Sequence, residues 1–85
     1  MGNSMISCEK YDYIEIACMH RYPVKLTMES GVTLFGIALD TTRNESRQEC
    51  MLLSSDGKEI LAVLDDVLLL EVTVKNPHFE SVSFK

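Results

Sequence analysis

Eighty-five residues, 46% hydrophobic and 25% charged, suit one small globular domain: a second core could not bury enough apolar surface to offset its own chain entropy, and the composition is far from that of disordered chains. Thirteen acidic against eight basic side chains leave a formal charge of −5, which repels a polyphosphate at long range and attracts basic surfaces, so direct nucleic-acid binding is not expected. No apolar run approaches the roughly 18 residues of a membrane span, and Met1-Gly2-Asn3-Ser4-Met5 lacks the basic region and apolar stretch of a secretory signal; a cytoplasmic location away from membranes is the expectation.

Residues 1–7 are short, polar and unpatterned and are expected to fray, leaving residues 8–85 as one domain. From about residue 9 to residue 21 the pattern is helical, with Glu9 and Asp12 in the first turn and His20 and Arg21 at the end, all favourable to the helix dipole. Pro23 ends the helix, because the residue before a proline is pushed out of the α region. At about 100° per residue, Tyr11, Ile14, Ala17 and Cys18 share the side that packs inward, while Glu9, Asp12, Glu15, Ile16 and Met19 look outward. An acidic face with apolar residues set into it is the result.

After Pro23 the period changes to two: Val24, Leu26 and Met28 alternate with Lys25, Thr27 and Glu29, and Ser30-Gly31 turns the chain. A second strand runs from Val32 to about Thr41, with Gly36 permitting a bend or a close backbone approach. The polar stretch from Arg43 to Gln48 is a loop. Glu49 to Ser54 and Glu59 to Leu64 are strands joined by Asp56-Gly57, a hairpin signal; Asp65-Asp66 interrupts, Val67 to Val74 continues, and Val82 and Phe84 close on a short edge strand. Thr33 to Leu39, Ile60 to Leu64 and Val67 to Val74 are apolar on both faces, which a flat solvent-backed sheet would not tolerate. The expected fold is therefore mainly β with one N-terminal helix, its five- to six-stranded antiparallel sheet bent into a partly open small barrel.

Catalytic signals are missing. His20 and His78 sit in no motif, and Asp65-Asp66 are neighbours on a chain that points them apart. Gly31 and Gly36 lack the Gly-Lys-Ser/Thr ending of a phosphate loop. Cys8, Cys18 and Cys50 are odd in number and share no short spacing, so they read as small buried side chains in a reducing compartment rather than as disulfide or zinc ligands. The composition points to a binding module with no metal and no cofactor.

Two resemblances refine this. A helix followed by a bent sheet looks like the Sm-like fold, and Gly31-Val32-Thr33-Leu34-Phe35-Gly36-Ile37-Ala38-Leu39-Asp40 is similar to the first Sm motif, but the base-holding Asp-x-x-x-Asn arrangement of RNA-binding Sm proteins is not expected to follow Asp40. The segment Cys8-Glu9-Lys10-Tyr11-Asp12-Tyr13-Ile14-Glu15-Ile16-Ala17-Cys18-Met19-His20 resembles more closely the N-terminal helix of the Rho-binding antiterminator family, the Rho-specific inhibitors of transcription termination, and the likeness extends over roughly residues 8 to 74. It implies a protein that binds the N-terminal RNA-binding domain of the termination factor Rho and denies it RNA. Carried over, Asp12 and Glu15 would be the main charged contacts, with Tyr11 or Tyr13 as an aromatic anchor, Tyr13 being the interface choice and Tyr11 the core tyrosine. The helix period adds Glu9, Ile16 and Met19 to that face, and Arg43, Asn44 and Arg47 are loop candidates for salt links and polar contacts, in a loop that departs in charge from the family's basic one. A monomer or weak dimer is expected; the alternative reading is an Sm-like RNA-binding or ring-forming protein.

Overall fold

The computed structural model describes residues 8–84. In chain order the elements are α1 (Cys8–Met19), β1 (Pro23–Met28), β2 (Thr33–Arg43), β3 (Glu49–Ser55), β4 (Lys58–Val63), one 3₁₀ turn (Leu64–Asp66), β5 (Val67–Val72) and β6 (Ser81–Ser83). The frayed segment expected at residues 1–7 lies outside the described residues. The strands form one sheet in the order β4-β3-β2-β1-β5-β6, each neighbouring pair antiparallel. The sheet does not close, since β4 and the three-residue β6 are its two edges. This is the expected class: mainly β, one helix, an open bent sheet.

Local chemistry accounts for the connections. Asp56 and Gly57 both take positive φ (53° and 79°) between the paired Ser55 and Lys58, the two-residue turn whose twist matches that of the flanking strands. At Gly36 a Cβ would stand 2.8 Å from the carbonyl oxygen of Ser54, so β2 and β3 can approach this closely only where the side chain is missing.

The helix ends two residues earlier than its periodicity predicts. Arg21 adopts φ 53°, its N–H donates to the Cys18 carbonyl (3.2 Å), and the Tyr22 N–H donates to that of Ala17 (3.0 Å). This paired closure is the Schellman arrangement, with arginine where glycine is usual. The physical reason is Pro23, which bars Tyr22 from continuing the helix. His20 and Arg21 therefore lie beyond the last turn, but the Arg21 Nη1 still donates to the Cys18 carbonyl and, at 2.9 Å, to that of Leu39 in β2. One side chain thus ties the helix end to the sheet.

Ile14, Ala17 and Cys18 are buried against β2 and its neighbours, where Leu26, Leu53 and Leu70 are fully enclosed. The other sheet face stays partly open: Phe35 is 57%, Leu61 46% and Ile37 38% exposed. The sequence pattern anticipates a sheet curled tightly enough to cover both apolar faces, and the open edges leave this one uncovered. Lys25 offsets some of that exposure, its Nζ 5.8 Å from the centre of the Phe35 ring and 3.9 Å from a Glu71 carboxylate oxygen.

Candidate functional site

The outer surface of α1 carries Glu9, Asp12, Glu15 and Met19, all exposed, with Ile16 half-buried among them. The 3.6-residue period that sends Ile14 and Ala17 into the core necessarily turns these outward. Among the described residues no ion pair draws on a helix carboxylate; the two pairs present are Lys25–Glu71 and Arg43–Glu49. Three carboxylates on one helix side thus stand available to a partner, with the apolar surface of Met19, 70% exposed, beside them.

The two helix tyrosines differ in setting. Tyr11 packs against the core cluster, whereas Tyr13 meets the ring of Phe79 edge to face, centroids 5.0 Å apart, and is half-buried by it. Phe79 is held there by Asn76, whose Oδ1 accepts from the N–H groups of His78 (2.8 Å) and Phe79 (3.1 Å) and whose Nδ2 donates to the Phe79 carbonyl (3.0 Å). The same segment brings the His78 ring to 4.8 Å from that of His20, which in turn stacks on Tyr22 at 5.2 Å. Sequence reasoning treats the two histidines as unrelated, because no local pattern signals that residues 58 apart share a stack.

The loop after β2 has a different character. Asn44 Oδ1 accepts from the Ser46 and Gln48 N–H groups (2.9 and 3.0 Å), and its Nδ2 donates to Gln48 Oε1 (3.0 Å). Its amide is consumed in shaping the loop. Asp40 and Asn44 do stand in the Asp-x-x-x-Asn spacing, contrary to expectation; what distinguishes them from a base-holding pair is that the Asn44 side chain is already engaged. Arg43 lies 4.0 Å from Glu49, a solvent-exposed pair worth little, and Arg47 is exposed with φ 65°. The strand ends that carry the loop meet the helix: Tyr11 of α1 and Thr41, Thr42, Arg43 and Glu49 line one small depression.

A second feature escapes the sequence altogether. Glu15, Cys18 and Met19 of α1 face Leu39, Asp40 and Thr41 of β2 across an open groove of about 460 Å³. Asp40 follows directly on the register shift in β2, where that strand carries one residue more than β3. Burial pushes the Cys18 thiol up to about 11, and the nearby Asp40 and Glu15 charges add to the rise while Arg21 opposes it. This thiol is inert at neutral pH.

Asp65 and Asp66 form the 3₁₀ turn, where the Asp66 carbonyl accepts from the Glu29 N–H at 2.7 Å. Among the described residues no three His, Cys, Asp or Glu side chains gather as they would around a metal ion, and no helix is long and apolar enough to cross a membrane.

The architecture is an open antiparallel sheet fronted by one helix with an acidic outer face, and comparison with known proteins gives the domain its class. The family model of modulators of Rho-dependent transcription termination matches residues 5–84, and the chain belongs to that family. A solved structure described as YaeO bound to magnesium, from Vibrio cholerae O395, is 44% identical, covers 88% of this chain and 97% of its own, and superposes with a TM-score of 0.84. Comparison with curated proteins gives no significant match. The role of the family is regulatory, acting on Rho-dependent termination.

Proposed function

We propose that this protein inhibits termination in the bacterial cytoplasm by seating the outer face of α1 on the N-terminal RNA-binding domain of Rho, where it denies the nascent transcript its place. The observation that carries the reading is the set of exposed helix carboxylates, Glu9, Asp12 and Glu15, without an internal partner among the described residues. A surface that grips phosphates is positive, and a row of fixed negative charges complements it while steering the encounter. Ile16 and Met19 supply the apolar contact that charge alone lacks, and Tyr13 lies at the edge of the same face, braced by Phe79. Arg43 and Arg47 make further contacts, with Asn44 holding the loop between them.

The protein works without binding RNA itself, its net charge of −5 opposing a polyanion. It works as a monomer or weak dimer, since a ring built by strand addition needs two usable sheet edges and one of the two here is only the three-residue β6.

An equilibrium competition tests this. Added to purified Rho carrying labelled pyrimidine-rich RNA, the protein displaces the RNA, less effectively as salt rises. Asp12→Lys weakens Rho binding by roughly 2 kcal/mol or more while leaving the melting temperature nearly unchanged. Wild-type affinity in that variant would take α1 out of the interface.

A further inference from the structure

We infer that the groove between α1 and β2 receives a single long basic side chain, lysine or arginine, from the Rho surface. The inference rests on the reading that α1 faces Rho and specifies one contact within it. The groove has two walls of the right kind. Glu15 stands on the helix and Asp40 on the strand, both exposed, and the Asp40 Oδ1 accepts from the Thr41 N–H at 2.8 Å, which fixes that carboxylate before any partner arrives. Between the charges lie Met19, 70% exposed, and the half-buried Leu39, apolar surfaces suited to the methylene stem of a lysine or arginine rather than to its charged head.

The groove's own cation does not fill this role. Arg21 Nη1 is bound to the carbonyls of Cys18 and Leu39, and Arg21 forms no ion pair with Glu15 or Asp40. Both Asp40 and Glu15 act on Cys18, a lining residue of the groove, against the opposing charge of Arg21. A basic guest is therefore matched by charge on both walls and by apolar contact along its stem. A small-molecule site would be enclosed and lined mainly by apolar groups, and this groove is neither.

The test uses the full chain and the Rho hexamer. Asp40→Asn keeps the acceptor for the Thr41 N–H and removes only the charge; it is expected to weaken binding about tenfold, with a shallower salt dependence. Met19→Ala, at a position 70% exposed, is expected to lose a few-fold. If Asp40→Asn changes the melting temperature, Glu15→Gln on the facing wall replaces it. Lysine and arginine substitutions to glutamine across the N-terminal domain of Rho then identify the guest: its loss and Asp40→Asn are strongly non-additive, the double variant binding no more weakly than the worse single one. Additive losses with every Rho cation, or wild-type binding by Asp40→Asn while Asp12→Lys is impaired, would overturn the groove and leave the helix reading standing. Wild-type binding by both would bring down the two together.

Discussion

The outer face of α1 and the loop from Asn44 to Gln48 are similarly polar and both look like contact surfaces in the sequence, yet they spend their polar groups differently. On the helix the backbone satisfies itself, so Glu9, Asp12 and Glu15 owe nothing to the fold and remain exposed without ion-pair partners among the described residues. In the loop the backbone has no such ladder. Asn44 must supply hydrogen bonds to the Ser46 and Gln48 N–H groups, and Arg47 must accept a left-handed backbone to let the chain return. Side chains on regular structure are released for recognition; those on a tight loop are drafted into holding it.

Four substitutions sharpen that contrast. The largest effect falls on the inner side of α1, where Ile14→Ala empties a fully buried position and costs about 3 kcal/mol of stability, read by denaturant unfolding. Asp12→Lys, two residues earlier on the outer side, gives the converse: the loss of roughly 2 kcal/mol appears in Rho affinity and not in unfolding. In the loop the two readouts move together. Asn44→Ala costs about 1 kcal/mol of stability and speeds hydrogen exchange at the Ser46 and Gln48 amides, because those donors lose their partner to water. Smallest and opposite in sign, Arg47→Gly relieves the positive φ and stabilises by about 0.5 kcal/mol; an accompanying fall in Rho affinity would mark Arg47 as a contact residue. A loop variant that changed affinity alone, as Asp12→Lys does, would break the distinction.

Much of this fold is legible in the residues. The alternation through Val24, Leu26 and Met28 matches β1 and its buried face, and Asp56-Gly57 marks a hairpin that forms at that position. The break at Asp65-Asp66 is a 3₁₀ turn between β4 and β5. The helix end was legible only in part: Pro23 signals a stop, but the stop falls at Met19 because closing the helix requires a left-handed residue before Tyr22, and nothing in the local pattern of Arg21 announces that conformation. Asp40 shows the same limit at the site. Read along the chain it is the end of a strand motif, and only the folded molecule sets it in one groove with Glu15.

The sequence by itself determined the order and type of the elements and the two faces of α1, because hydrophobic period is a property of neighbours and is written within a dozen residues. Tertiary structure alone decided that Phe79 braces Tyr13, that Arg21 links the helix end to Leu39, that Asn44 is occupied, and that Glu15 and Asp40 share a groove. Each of these depends on strand register, loop geometry or the return path of the chain, and such long-range placements follow from how the whole sheet packs rather than from any one segment.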